Sequence, residues 1–266
     1  MPKVKTNGID IYYEIHGEGF PLIMIQGLSE NVYWWDPPLI NELSKNFKTI
    51  LLDNRGVGRS DNPGGEISIE LMAKDTIGLM DAIKIKRAYI IGHSMGGKTA
   101  MEIALSHPER VEKLILYSAN CGGPNSIGPS RERTIELLEI LSEQTHTRDL
   151  VEEVMFHIFT EEFITQNPEF MKKKVDDIFI VLTSPYTFGH QIMASSQYNS
   201  FDKLKKISVP TLIIHGRKDI ITPPENAEIF VKNIPGAKLK YFDNNAHMIH
   251  TQEPEIFVKI LLDFFK

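Results

Sequence analysis

Ala88-Tyr89-Ile90-Ile91-Gly92-His93-Ser94-Met95-Gly96-Gly97 is the stretch on which the reading of this 266-residue chain turns. Its first four residues form an apolar run closed by Gly92, the pattern of a buried strand. Lys98 to Ser106 follows, Lys-Thr-Ala-Met-Glu-Ile-Ala-Leu-Ser, and is rich in good helix formers. Ser94 therefore falls on a strand-to-helix turn, inside the pattern Gly-x-Ser-x-Gly. Gly92 and Gly96 bring no side chain to collide as the chain reverses, which lets a non-glycine residue sit between them in a strained conformation with its hydroxyl exposed. The helix points its unpaired N–H groups and positive dipole end at the same spot, a setting that stabilises an oxyanion forming beside Ser94.

Working outward, the strand carrying Ser94 is one of several. Val4 to Thr6 and Ile9 to His16 flank Asn7-Gly8, a two-residue connection typical of a tight hairpin. Pro21 to Ile25 is continuously apolar, as in a strand buried on both faces, and ends in Gln26-Gly27-Leu28-Ser29. Asn31 to Lys45 reads as a loop leading into a helix that starts at Pro37-Pro38. Its Trp34 and Trp35 either line a pocket or cover the core. Phe47 to Asp53 is a further strand, and Ile69 to Lys84 shows apolar residues at helical spacing. Val111 to Ser118 continues the βαβ rhythm. It breaks at a run of Asn, Gly and Pro from Asn120 to Pro129.

From about Ser130 to Ser200 the pattern is helical, with amphipathic stretches at Arg131 to Gln144, Leu150 to Phe159 and Phe170 to Leu182. This reads as an inserted helical cap over residues 124–200, with residues 1–123 and 201–266 forming the core. Strands return at Pro210 to Gly216 and Ala237 to Phe242, and a terminal helix runs from Glu253 or Pro254 to Phe265.

Composition fits an ordinary globular protein, with 42% hydrophobic and 24% charged residues. A formal charge of −6 and a pI near 5.9 argue against nucleic acid or an anionic membrane surface as partner, since both demand clustered positive charge. A small-molecule partner is expected, and oligomeric state is not legible. The single cysteine, Cys121, rules out an intrachain disulfide and reads as a structural thiol. No apolar stretch approaches the length needed to span a bilayer, and the expected location is cytoplasmic. No metal-ligand spacing stands out, and no cofactor is expected.

A serine hydroxyl is a weak nucleophile near neutral pH. It needs a base within hydrogen-bond reach and a third group to orient that base. His247 and Asp219 supply those types in the order Ser94, Asp219, His247. His250 competes for the base and Asp243 for the acid.

With these residues on the page, the chain resembles the α/β-hydrolase superfamily, in its esterase, lactonase and cofactor-free haloperoxidase branch. Gly92-His93-Ser94-Met95-Gly96 matches the nucleophile elbow, and the chain order of the three residues matches that group. Asp53-Asn54-Arg55-Gly56-Val57-Gly58-Arg59-Ser60 is similar to a structural loop of the same proteins, so Asp53 and Arg55 are expected to be scaffold residues. Ala246-His247 with Glu253-Pro254 matches the histidine region, apart from Ala for Gly, and favours His247 over His250.

The resemblance implies a mostly parallel eight-stranded α/β sheet flanked by helices. It also implies an oxyanion hole made by the N–H groups of Leu28 and Met95, with Gln26 standing where a His is common. The expected activity is that of a serine carboxylesterase acting on small esters. Lactonase, carbon–carbon hydrolase, perhydrolase or haloperoxidase, acyltransferase and non-catalytic receptor are the alternatives. Gln26, Trp34, Trp35, His93, Met155, Phe159 and Tyr198 are the candidate substrate-binding residues.

Overall fold

Asn7 and Gly8 both take positive φ, +44° and +81°, the backbone of a two-residue hairpin turn. They join β1 (Lys3–Thr6) to β2 (Ile9–His16), which pair antiparallel with Thr6 opposite Ile9. In the computed structural model, which describes residues 2–62, 64–142, 148–179, 181 and 183–266, the hairpin opens an eight-stranded sheet.

The strands that follow are β3 (Phe20–Ile25), β4 (Phe47–Leu52), β5 (Ala88–His93), β6 (Val111–Tyr117), β7 (Thr211–Gly216) and β8 (Lys238–Phe242). Their spatial order is β1-β2-β4-β3-β5-β6-β7-β8, antiparallel as far as the β2–β4 pair and parallel beyond it. This is the mostly parallel α/β sheet expected from the sequence.

Alternate residues of one strand serve opposite layers, which is why the central strands read as unbroken apolar runs. Ile23 and Ile25 face α2 (Ile69–Ala82), α3 (Met95–Ser106) and α9 (Glu225–Asn233). Leu22 and Met24 face α1 (Pro37–Leu43) and α11 (Pro254–Phe265), through Leu39, Leu43, Phe257 and Leu261. Neighbouring registers bring Ile25 beside Gly92, and His93 beside Tyr117, so the loops after β3, β5 and β6 open together at one edge.

The chain between β6 and β7 carries α4 (Arg131–Ser142), α5 (Arg148–Ile158), α6 (Glu161–Gln166), α7 (Pro168–Phe179) and α8 (Pro185–Gln197). The expected ends of two of these helices, at residues 143–144, 180 and 182, lie outside the described residues. A short α10 (Ile249–Gln252) precedes α11.

A third apolar cluster joins this insertion to the sheet edge: Met155, Phe159, Met171, Val175 and Ile178 pack with Trp34 and Met248. Polar seams add to it. Lys174 is buried and reaches Asp36 at 2.7 Å while donating to the carbonyls of Trp34 and Tyr33. Lys98 donates to the carbonyl and hydroxyl of Ser195, both at 2.8 Å.

The loop after β4 is scaffold. Arg55 makes a two-pronged pair with Asp75 at 2.8 and 2.9 Å. Asp53 accepts the N–H groups of Val32 and Arg59, both at 2.8 Å, while burial pushes its carboxyl up to about 6.

Candidate active site

Ser94 is the residue just before α3 and stands at φ +52° and ψ −119°, in the left-handed half of backbone space that a serine enters only under constraint. Two glycines impose it by close approach. A Cβ at Gly96 would lie 2.3 Å from the Ile25 carbonyl oxygen, and one at Gly92 would lie 2.3 Å from that of Gly96. Only hydrogens fit there, so β5 and α3 press together and Ser94 is lifted at their junction.

Asp219 lies in the loop after β7, and His247 in the loop after β8. Their side chains meet: His247 Nδ1 is 2.7 Å from Asp219 Oδ2. Asp219 Oδ1 accepts the backbone N–H groups of Ile221 at 3.0 Å and Thr222 at 2.8 Å, which fixes the carboxylate plane. Burial alone would raise the Asp219 pKa. The charge and hydrogen bond of His247, with the His215 ring nitrogen 3.5 Å from Asp219 Oδ2, outweigh it and hold the carboxyl well below the usual range. Burial would likewise lower the pKa of His247, yet the charge and hydrogen bond of Asp219, with the charge of Glu30, carry it above the ordinary imidazole value.

The Asp219 contact occupies Nδ1 and leaves Nε2 as the nitrogen available toward Ser94. Among the hydrogen bonds of the described residues there is none between the Ser94 hydroxyl and His247 Nε2. In free enzymes this contact is often long and tightens only when substrate is bound.

The rival residues are committed elsewhere. His250 Nε2 donates to the Trp34 carbonyl at 3.0 Å, and Nδ1 lies 3.0 Å from the Tyr117 hydroxyl. Burial pushes its pKa down to about 4, so it is neutral near pH 7. Asp243 is exposed and pairs with Arg217 at 2.8 Å.

The loop after β3 closes on the serine, since a Cβ at Gly27 would stand 3.0 Å from that of Ser94. The Met95 N–H is the first of α3 and has no carbonyl within its own helix to bind. The Leu28 N–H makes no hydrogen bond among those of the described residues. Two main-chain donors with no hydrogen bond among the described residues thus stand at the start of α3 and in the loop after β3.

A family model described as the alpha/beta hydrolase fold matches residues 21–254. The chain belongs to the α/β-hydrolase fold family. It is 28% identical over 264 residues to a protein of Azorhizobium caulinodans named "Putative carbamate hydrolase RutD", covering 99% of this chain and 98% of that one. It is 29% identical over 266 residues to a 2-hydroxy-6-oxononadienedioate/2-hydroxy-6-oxononatrienedioate hydrolase of Paraburkholderia xenovorans, covering 96% and 90%. The enol-lactonase from Burkholderia xenovorans superposes with a TM-score of 0.88 at 27% identity, over 99% of both chains.

Of the residues expected to bind substrate in this α/β-hydrolase, His93 stands beside His247, and Gln26 beside His93. The His93 ring centroid is 4.7 Å from that of His247, and Gln26 Oε1 is 3.2 Å from His93 Nδ1. Trp34, Met155 and Phe159 share the apolar cluster that contains Met248, next in sequence to His247. Trp35 packs on His250 with ring centroids 4.9 Å apart. Tyr198 departs from expectation. Its ring joins the core cluster of α2 and α3, and its hydroxyl reaches Glu102 at 3.2 Å, because the chain turns toward β7 directly after α8.

Glu30 went unnoticed in the sequence. It is buried and accepts the Gly27 N–H at 2.9 Å, with the same Oε2 2.9 Å from His93 Nδ1. Burial raises its pKa, but His93, His247 and the Gly27 N–H together lower it below the usual carboxylate value, so it is ionised near neutral pH. An acidic residue three positions after the glycine of a strand-end loop was the available signal.

A cavity of 620 Å³ lies at the seam between α7 and α1, walled by Trp35, Pro37, Pro38, Phe170 and Pro254 with Lys174 and His250. Ser94, Asp219 and His247 do not line it. Its buried charges, Lys174 and Asp36, are already paired with each other. Among the described residues no cluster of three or more His, Cys, Asp or Glu side chains is placed to hold a metal, and no helix is long and apolar enough to cross a membrane.

Proposed function

We propose that this protein is a serine hydrolase cleaving small carboxylic esters, open-chain or cyclic, through an acyl-enzyme on Ser94. The observation that carries the reading is the buried 2.7 Å contact between His247 and Asp219, with Ser94 held at φ +52° after β5, on the same edge of the sheet as the loops after β7 and β8 that carry them. In this mechanism Ser94 Oγ attacks the carbonyl carbon as His247 Nε2 takes its proton. Asp219 keeps the other ring proton on Nδ1 and stabilises the imidazolium. The Leu28 and Met95 N–H groups hold the negative oxygen of the tetrahedral intermediate. His247 returns the proton to the leaving alkoxide, and water then cleaves the acyl-enzyme by the same route in reverse roles. The insertion between β6 and β7 acts as the cap that shapes the pocket, with Trp34, Met155 and Phe159 on its apolar side.

Lactones fall within this proposal as cyclic esters, which the likeness to an enol-lactonase over the whole chain supports. A second reading is carbon–carbon bond hydrolysis of an oxo-acid, favoured by the full-length relative of that activity. The test is an initial-rate panel of p-nitrophenyl acetate, butyrate and octanoate, simple lactones and a 2-hydroxy-6-oxo-dienoate, run beside Ser94→Ala. Turnover of esters or lactones that falls to background in S94A is expected. An S94A variant at full rate overturns the assignment of the nucleophile, and turnover of the dienoate alone selects the second reading.

A further inference from the structure

The loop Gly27-Leu28-Ser29-Glu30 is a four-residue turn, closed by the Glu30 N–H on the Gly27 carbonyl at 3.4 Å. Its third residue, Ser29, has φ +60°, a position that turns of this shape normally give to glycine or asparagine. Something outside the turn must hold it. Both backbone groups of Ser29 are bound by side chains from the insertion. Its N–H donates to Gln191 Oε1 at 2.8 Å, and its carbonyl accepts from Thr183 Oγ1 at 2.9 Å. Gln191 and Thr183 are both buried. At the other end, Glu30 fixes the Gly27 N–H. The polar groups on either side of Leu28 are thus pinned, while the Leu28 N–H makes no hydrogen bond among the described residues.

Gln191 reaches this place because α8 starts on Ser184, whose hydroxyl accepts the Thr187 N–H at 3.2 Å, and because Thr187, Gln191 and Ala194 form its buried face. A buried face with a glutamine at its centre has no apolar reason to exist. The half-buried Ser29 N–H, which Gln191 accepts, gives it a polar one.

We propose that Gln191, assisted by Thr183, is a positioning residue for the oxyanion hole: the insertion holds the Leu28 N–H in its working direction. This rests on the serine-hydrolase reading above. Without the Gln191 acceptor, Ser29 relaxes toward negative φ by rotation of its peptide, the path from Gly27 to Glu30 is redrawn, and the Leu28 donor turns with it. Substrate binding depends on the pocket walls and is left in place. The developing oxyanion loses one of its two donors.

The experiment compares wild type, Gln191→Leu, Gln191→Glu and Thr183→Val, each checked for fold by circular dichroism. The readouts are kcat and KM on p-nitrophenyl acetate and the inhibition constant of an alkyl trifluoromethyl ketone, whose hemiketal oxygen occupies the oxyanion hole. For Q191L, kcat falls about 10- to 100-fold with KM within two-fold, and affinity for the ketone falls by a similar factor, somewhat less than removing an oxyanion donor outright. Q191E retains an acceptor and recovers most of the loss. T183V shows a smaller loss in the same direction and carries the test alone if Q191L does not fold. Folded Q191L or T183V with wild-type ketone affinity, or with KM rising as much as kcat falls, overturns the proposal. If wild type itself neither turns over the ester nor binds the ketone, the serine-hydrolase reading has failed instead.

Discussion

Replacing Asp219 by Asn tests the chemistry with little change of shape, and the structure dictates how the amide must sit. Asp219 Oδ1 accepts two backbone N–H groups, from Ile221 and Thr222, so the amide oxygen has to take that position. The NH2 group then falls where Oδ2 was, facing His247 Nδ1. His215 offers no relief, because its Nε2–H already points to the Thr222 carbonyl at 2.7 Å. The new donor can only be accepted by an unprotonated Nδ1, which moves the ring proton of His247 to Nε2. A protonated Nε2 cannot take the proton of Ser94. The expected loss in kcat is about 10³- to 10⁴-fold, the scale seen when a triad histidine is forced into the wrong tautomer. At about 1.36 kcal/mol per factor of ten, this is about 4 to 5.5 kcal/mol of transition-state stabilisation. Steady-state hydrolysis of p-nitrophenyl acetate measures it, with a thermal melt to show that the fold persists. A folded D219N retaining more than a tenth of the wild-type kcat refutes the argument, because the amide would then have to leave both backbone donors unpaired.

Glu30→Gln changes the pH profile in a defined direction. The charge of Glu30 is one of the causes that raise the His247 pKa, so its removal lowers that pKa and leaves more of the base unprotonated at acid pH. The acid limb of kcat/KM, which reports the free enzyme, therefore shifts to lower pH; a limb that stays put or moves up rejects the coupling. Asp36→Ala strands Lys174, whose side chain is only 4% exposed, as an unpaired buried cation. Breaking such a pair from one side costs about 3 to 5 kcal/mol. For a chain of this size each kcal/mol is worth about 2–4 °C, so a fall in Tm of at least about 6 °C is expected by calorimetry. Replacing both partners by apolar residues of similar volume recovers much of that loss, and a D36A protein melting with wild type would show the pair to be idle.

The sheet and the elbow were legible because their physics is local. An unbroken apolar run, a glycine pair around a serine and a hairpin turn each depend on residues within a dozen positions of one another. The order Ser94, Asp219, His247 was legible for a different reason: in a parallel sheet every functional loop leaves the same edge, so residues after separate strands are brought together by topology alone. Preferring His247 over His250 needed the resemblance. In the structure His250 spends both ring nitrogens on Tyr117 and Trp34.

What stayed hidden depends on pairings that no sequence period encodes. Ser29 and Gln191 are 162 positions apart, and Lys174 and Asp36 are 138 apart. Each looks unremarkable in its own segment, a glutamine in a helix or a lysine among charges, and acquires meaning only once the insertion is folded against the sheet edge. Tyr198 fails in the opposite sense: its aromatic ring suggested a pocket wall, but the end of α8 carries it to Glu102 and the core. These cases share one cause. Ser94, Asp219 and His247 follow β5, β7 and β8 and are brought to one edge of the sheet by topology. The left-handed turn after β3 is held from the segment between β6 and β7, through Gln191 and Thr183, and on the proposal above that segment sets the direction of the Leu28 N–H. Variation in that segment then acts on the rate through the direction of one N–H group as well as on specificity through the pocket wall, and the separation of kcat from KM in the Gln191 variants distinguishes the two.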